Sequence, residues 1–269
     1  MRRARLVTGI LLFFGQASAG TTVTYVEAGR KVTLAVDRNR VRVEQEGSPL
    51  VLVFDGDAGR YLEIDNARRT YAVATRDDVI AAGKALDARV RKKEASADPA
   101  ERAAWAEHRD HVQKRLALMK RTRFEPTGVQ AMVADTMCDG FKEWVGDELV
   151  AQGCYVLWND TTFRREEFDG ITRLAEFLNS AIGQVESAQG LDLRDGPLGR
   201  LKRSPGFPLL RLDLKEGGRS GVPLQVTELR HGSLSRELFE PPAGYKALEQ
   251  PPLSLPFPVL PTDGKSNPR

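Results

Sequence analysis

Residues 50–75 read LVLVFDGDAGRYLEIDNARRTYAVAT and decide the class of fold. They contain three β-rich runs of six residues each, and the breaks between the runs contain Gly-Asp-Ala-Gly and Asp-Asn-Ala. Short breaks of this composition connect neighbouring antiparallel strands. The stretch therefore predicts three strands of an antiparallel meander.

The same pattern extends upstream, where three more β-rich runs begin at about Thr22. They are TTVTYV, KVTLAV and RVRVEQ, and the segments between them contain Gly29, Asn39 and Gly47. We therefore predict six strands between Thr22 and Thr75. Apolar and polar residues alternate within several runs, which predicts that one face of the sheet is packed and that the other faces water.

Downstream of the meander, the spacing of apolar residues becomes helical between Asp77 and about Thr122. A first helix has Val79, Gly83, Leu86 and Val90 on one face, and a second has Trp105, His108, Val112, Leu116 and Met119. The second helix begins at Asp98-Pro99-Ala100-Glu101, where Asp98 can cap and Pro99 suits the first turn. We predict a helical hairpin inserted over about 77–122, with a charged, solvated outer face.

The strand pattern resumes after Phe124 and runs to about Trp158. An amphipathic helix is predicted from Glu166 to about Val185, and residues 189–205 have the composition of a loop. Two last strands, FPLLRLDL and PLQVTELR, are predicted to form a hairpin, and the proline-rich tail beyond Tyr245 is predicted to be extended and poorly ordered. This order of elements predicts an α+β fold.

The first nineteen residues, MRRARLVTGILLFFGQASA, have the three parts of a signal peptide. Arginines precede an apolar run from Leu6 to Phe14, and Ala17-Ser18-Ala19 fits the small-residue cleavage site. The apolar run is too short to span a bilayer. We predict that residues 1–19 are removed on export, which leaves a periplasmic or secreted protein.

Removal of the signal peptide changes the net charge. The whole chain has 40 basic and 37 acidic residues, and residues 1–19 hold three arginines and no acid, so 37 of each sign remain. A neutral chain offers no overall basic surface, so we expect no binding to nucleic acid. Its 250 residues are enough for one large domain, which we place at 20–246.

Cys138 and Cys154 are the only cysteines of the chain. In an oxidising compartment, an isolated pair forms a disulfide by default. A metal or redox pair is the alternative, but there is no Cys-x-x-Cys and no histidine in this stretch. A three-residue loop at 145–147 would place Cys138 opposite Cys154, whereas a two-residue loop at Gly146-Asp147 would place it opposite Tyr155.

No sequence motif for catalysis is present. There is no nucleophile elbow and no glycine-rich motif for a dinucleotide or a phosphate. His108 and His111 are three residues apart on the second predicted helix, but their charged surroundings favour a plain surface helix over a metal site. His231 lies in a predicted turn beside two serines, without an identified acid partner. We therefore expect no enzyme, no catalytic residue, no metal and no cofactor.

The segment SRELFEPPAGYK at 235–246 has a structural interpretation of its own. Leu238 and Phe239 precede two prolines that would stop a strand, and Gly244 permits a turn that returns Tyr245 to the protein. We interpret this segment as a plug that seals the edge or the core of the sheet.

The chain resembles an uncharacterised domain-of-unknown-function family of exported bacterial proteins. The resemblance rests on the order of elements, the Pro-Ala-Glu-Arg helix start at 99–102, Thr127-Gly128, the Cys138 hairpin and the closing GFPLLRLDL and VTELRHGSLSRELFEPPAGYK. That family in turn is similar to the periplasmic lipoprotein carriers and their outer-membrane receptors. The resemblance implies a curved antiparallel sheet, or half-barrel, with the helical hairpin inserted and the further helix packed on it.

The resemblance also implies a non-catalytic binding role for an apolar ligand, a lipid or a lipoprotein acyl chain. Trp105, Phe168 and Phe177 are then the candidate ligand-binding residues. The alternative is a structural or interaction module of the cell envelope with a filled core and no ligand, because an aromatic stripe at helical spacing also forms an ordinary core. We expect a monomer that makes at most peripheral contact with the envelope.

Overall fold

A computed structural model gives the fold and describes residues 18–27, 29–158, 164–182, 201, 203–214 and 223–249. The predicted signal peptide up to residue 17 and most of the loop predicted at 189–205 lie outside these ranges, as does the tail beyond 249. The strands are β1 Ser18–Glu27, β2 Arg30–Asp37, β3 Arg40–Gln45, β4 Leu50–Asp55, β5 Arg60–Asp65, β6 Thr70–Thr75, β7 Thr122–Val133, β8 Thr136–Val145, β9 Glu148–Leu157, β10 Gly206–Asp213, β11 Leu224–Leu234 and β12 Lys246–Ala247. The α-helices are α1 Arg76–Ser96, α2 Pro99–Met119 and α3 Asp169–Ile182.

The strands form one curved sheet of twelve strands in the order β12-β6-β5-β4-β3-β2-β1-β11-β10-β9-β8-β7. The predicted six-strand meander is confirmed as β1 to β6, and the pairing is antiparallel except between β12 and β6. β1 lies in the middle of the sheet because it pairs with β2 on one side and with β11 on the other. The α1–α2 hairpin therefore connects strands that lie toward opposite edges.

Both helices of the hairpin begin at a side-chain cap, and the predicted cap of the second, Asp98, is confirmed. Thr75 Oγ1 accepts a hydrogen bond from the backbone N–H of Asp78, and the Asp78 carboxylate accepts one from the Thr75 N–H, which completes a capping box for α1. Asp98 Oδ1 accepts from the Glu101 N–H at 2.9 Å and caps α2. The helix predicted from Glu166 begins as a 3-10 turn, Arg165–Phe168, before α3. Residues 183–185 of that prediction lie outside the described ranges.

One face of the sheet packs against α1 and α3, and we call it the inner face. Each of β1 to β11 contributes to a single apolar cluster on this face. The strand residues are Val23, Val36, Val41, Phe54, Tyr61, Ala74, Val133, Cys138, Cys154, Val156, Phe207, Leu209 and Val226, and the helical side contributes Val79, Phe168, Ile171, Phe177 and Leu178. The main core of the protein is this contact between sheet and helices.

The opposite face of β4 to β6, the outer face, is not open to water as the alternation predicted. Val51, Val53, Leu62 and Ile64 form a second buried cluster there with Phe239, which is 1% exposed. The reason is that β4 and β5 also carry valine, leucine and isoleucine side chains on the outer face, so this face needs a cover too. The segment after β11 supplies it, which confirms the interpretation of that segment as a plug.

The plug ends at the edge of the sheet. Gly244 adopts a left-handed conformation with φ of 81°, and Tyr245 Oη donates a hydrogen bond to Asn66 Oδ1 at 3.0 Å. The next residues form β12, which pairs in parallel with β6, and the Leu248 N–H donates to the Tyr71 carbonyl at 2.8 Å. Ordered structure therefore continues to Leu248.

The disulfide between Cys138 and Cys154 is present, with a Cα–Cα distance of 5.4 Å. The loop of its hairpin has two residues, because Val145 pairs with Glu148, so the three-residue alternative is wrong. Neither predicted partner lies opposite Cys138, because Cys154 pairs with Gly140 and Tyr155 pairs with Asp139. The register shifts at Glu143/Trp144, where an extra residue on β9 forms a bulge and brings the two cysteines into a diagonal relation.

The predicted C-terminal hairpin is confirmed by the antiparallel pairing of β10 with β11. β11 continues to Leu234, so His231 lies in a strand opposite Thr21 and not in a turn. The prediction failed because the partner strand for this part of β11 is β1, which is distant in the sequence. His231 thereby reaches the inner face beside the start of α3.

Candidate ligand-binding site

Aromatic side chains join the sheet to α3 on the inner face. Phe168 stacks on Phe207 with ring centroids 4.7 Å apart and lies 5.5 Å from Trp158. One end of α3 is thus fixed to β9 and β10. Further along α3, Phe177 lies 5.4 Å from Phe54 of β4. Aromatic contacts at these distances add to the free energy gained by burial.

The structure brings together two of the three predicted ligand-binding residues. Phe168 and Phe177 belong to the inner-face cluster and are 2% and 7% exposed. Trp105 is half-buried on α2, where Lys93 Nζ lies 5.4 Å from the centre of its ring, and it is not a member of that cluster. Phe54 and Phe207, which also contact these rings, were not predicted as site residues. Their strands showed an apolar alternation, but alternation alone does not say which face meets a helix.

Gly170 sets how closely α3 approaches the sheet. A Cβ atom at this position would lie 2.6 Å from the Asp37 carbonyl oxygen and 2.8 Å from the Arg40 carbonyl oxygen, both in the β2–β3 turn. The turn is held rigidly, because Asp37 Oδ2 accepts hydrogen bonds from Arg40 Nε and Nη2 at 2.9 and 2.6 Å. The helix backbone therefore rests directly on the turn.

A polar cluster formed by Thr21, Glu167 and His231 fixes the start of α3. Thr21 Oγ1 donates a hydrogen bond to Glu167 Oε2 at 2.7 Å, and His231 Nδ1 lies 3.0 Å from the same hydroxyl and 3.6 Å from the carboxylate. His231 thus has a carboxylate near it, although no acid partner was predicted from the sequence. Since Thr21 is fully buried, its hydroxyl is not accessible as a nucleophile, and the cluster positions the helix.

Tyr61 is a polar residue inside the apolar cluster of the inner face. It is 3% exposed, and its hydroxyl has no hydrogen-bond partner among the described residues. Burial, followed by the negative charge of Glu63, raises the pKa of Tyr61 well above its usual value. The side chain therefore stays a neutral phenol that can donate a hydrogen bond.

The raised pKa predicts a loss of stability in alkali. An unfolded chain ionises tyrosine near pH 10, whereas folded Tyr61 keeps its proton, so the free energy of unfolding falls as the pH rises above about 10. Tyr61→Phe should remove this contribution. We expect denaturant unfolding between about pH 9 and 11 to show a smaller loss of stability in the variant than in the natural chain. Equal slopes would contradict the prediction.

The Asp55–Gly59 segment is the turn between β4 and β5, where Asp55 Oδ1 accepts hydrogen bonds from the N–H groups of Asp57 and Ala58 at 3.1 Å. The side chains of His108 and His111 lie outside the described part of the chain. In the described ranges, no helix is long and apolar enough to cross a membrane.

No family model matches the chain, and no curated protein matches it significantly. Solved structures with some similarity include an uncharacterised conserved protein from Thermus thermophilus, at 9% identity and a TM-score of 0.39, over 87% of this chain and 91% of the other. The MucA/MucB complex of Pseudomonas aeruginosa gives 14% identity and a TM-score of 0.37, over 82% of this chain and 54% of the other. A further MucB structure has 16% identity and a TM-score of 0.36, over 85% of this chain and 58% of the other.

This chain therefore spans little more than half the length of the MucB chains. TM-scores below 0.4 are too low to transfer a function or a residue to this chain. The resemblance to an uncharacterised exported family remains an expectation from the quoted motifs.

Proposed function

We propose that the protein is an exported, non-catalytic binding protein that holds an apolar ligand, a lipid or an acyl chain, between the inner face and the helices. The observation that supports this most is the extent of the inner face, to which each of β1 to β11 contributes an apolar side chain. Eleven neighbouring strands span about 50 Å, so the inner face is a continuous apolar surface across the sheet.

The two helices are held on this face to different extents. α3 contributes Phe177 and Leu178 to the cluster, whereas the buried residues of α1 are Val79, Ala82, Gly83, Asp87 and Val90. Alanine and glycine bury little apolar area, and the free energy of burial follows that area. Moving α1 away from the sheet therefore costs less than moving α3. In the proposed function α1 is the cover that opens to admit the ligand.

Export is supported by two independent features of the chain. Residues 1–19 have the sequence pattern of a signal peptide, and the chain contains a disulfide, which is typical of proteins outside the reducing cytosol. Both fit a protein that works in the periplasm or outside the cell.

A second candidate function is an envelope interaction module with a filled core. It is favoured by the packing of Phe54, Phe168 and Phe177, which are at most 7% exposed and in contact with other aromatic rings. In that case the same side chains only stabilise the fold. The two candidates differ in whether anything else occupies the inner face.

The deciding experiment is native mass spectrometry of the protein purified gently after export, followed by organic extraction. We expect a lipid bound at about one per chain, because burial of apolar area stabilises the complex by about 25 cal/mol per Å². The purified, delipidated protein should then bind a neutral apolar fluorescent dye, and the same protein in denaturant serves as the control. A bare chain that also ignores the dye would refute the carrier and leave the interaction module.

A further inference from the structure

The hydroxyl group of Tyr61 is a polar group that the packing of the inner face leaves unsatisfied. Tyr61 lies on β5, directly opposite Phe54 of β4 and Ala74 of β6. Its side chain belongs to the same apolar cluster as Val79 of α1 and Phe177 of α3. Its buried Oη has no partner among the described residues. A hydrogen-bonding atom therefore lies in the region between sheet and helices.

An unsatisfied hydroxyl in this position is costly. A buried donor without a partner destabilises a protein because it has lost its hydrogen bond to water, and phenylalanine would fill nearly the same space without that cost. Buried polar groups in folded proteins almost always have partners. We propose that the ligand supplies the partner, as an apolar molecule that presents an acceptor oxygen to Tyr61 Oη. This inference rests on the proposed function of the inner face.

The charge beside Tyr61 narrows the class of ligand. Glu63 lies two residues further along β5, on the same face of the strand, and its charge acts on the Tyr61 hydroxyl. A negative charge beside the hydroxyl repels a carboxylate or a phosphate and affects an uncharged acceptor much less. The ligand is therefore an acyl chain whose carbonyl is an ester or an amide, and a free fatty acid is disfavoured.

A buried water molecule is the other source of a partner for Tyr61. Such a water needs about two to four polar neighbours to be held. The two side chains directly opposite Tyr61, those of Phe54 and Ala74, offer none. The experiment below separates the two sources, because a water would satisfy the hydroxyl in the absence of ligand.

The test compares three chains of equal length, methyl laurate, lauric acid and dodecane, as competitors of a neutral apolar dye. We expect Tyr61→Phe to weaken the binding of methyl laurate by about 3- to 10-fold, the range of one hydrogen bond, and to leave dodecane unchanged. Tyr71→Phe makes the same chemical change on the outer face and should alter none of the three. Glu63→Gln should strengthen the binding of lauric acid.

Two outcomes would overturn the assignment of Tyr61 and leave the proposed function standing. One is equal affinity of Tyr61→Phe and the natural protein for methyl laurate. The other concerns the ligand-free protein, in which Tyr61→Phe should melt at or above the natural melting temperature because an unsatisfied group is removed. A lower melting temperature would show that a water already satisfies the hydroxyl. If the natural protein binds neither dye nor competitor, the proposed function fails and this inference with it.

Discussion

Replacing Gly170 with alanine should destabilise the protein by about 3 kcal/mol. The three atoms nearest to the added Cβ, at 2.6 to 3.0 Å, are all backbone atoms of Asp37 and Arg40. Backbone atoms of a hydrogen-bonded turn cannot move aside as the end of a flexible side chain can. The helix α3 would have to lift from the sheet, and the contacts of Phe168 and Phe177 would be disturbed with it.

The sign of the effect makes this prediction informative. Alanine is a better helix former than glycine by about 1 kcal/mol, so helix propensity alone predicts stabilisation. Denaturant unfolding followed by circular dichroism measures the change directly. Gly232→Ala is the matched control, because a Cβ at Gly232 meets no atom within 4 Å, and it should leave stability within about 0.5 kcal/mol. A Gly170→Ala protein as stable as the natural one would contradict the close contact.

Removing the disulfide should cost about 3 kcal/mol of folding free energy. The cysteines are 16 residues apart, and cross-linking a loop of this length restricts the unfolded chain by about that amount. Both side chains are also buried in the inner-face cluster, at 1% and 5% exposure. Cys138→Ala combined with Cys154→Ala should therefore lower the midpoint of denaturant unfolding clearly.

The double variant also provides its own control for the disulfide. A thiol reductant should lower the unfolding midpoint of the natural protein and leave that of the double variant unchanged. Mass measurement after thiol blocking should find no free thiol in the unreduced natural protein. Alkylation of Cys138 and Cys154 without reductant would show that the bond does not form.

The six strands of the meander could be predicted from sequence because their information is local. Each run from β1 to β6 is short, and the turns that bound it contain residues with definite conformational preferences. The start of α2 could be predicted for the same reason, since Asp98 and Pro99 lie at the first turn that they stabilise. The pairing of β1 with β11 was not predictable in this way. The two strands are far apart in the chain, and the sequence of neither strand indicates which strand it pairs with.

Details that depend on several elements were predicted least well. The disulfide followed from compartment and spacing, but its register was wrong because nothing in the sequence marks the bulge on β9. Trp105 was grouped with Phe168 and Phe177 because all three lie on helical stripes, and a stripe does not identify the surface against which it packs. In the sequence, Tyr61 is one residue in the apolar–polar alternation of its strand, and nothing there marks its hydroxyl as unsatisfied. Its unsatisfied hydroxyl results from neighbours on β4, β6 and the helices together.

The central position of β1 has a consequence for how the chain is made. One edge of β1 has no partner until β11 has been synthesised, since Val23 pairs with Leu229. Contacts between such distant residues form slowly, because a long loop must close before they can be made. The nascent chain thus cannot complete its core until nearly all of it has left the ribosome. A chain in that state can still be threaded through a membrane pore.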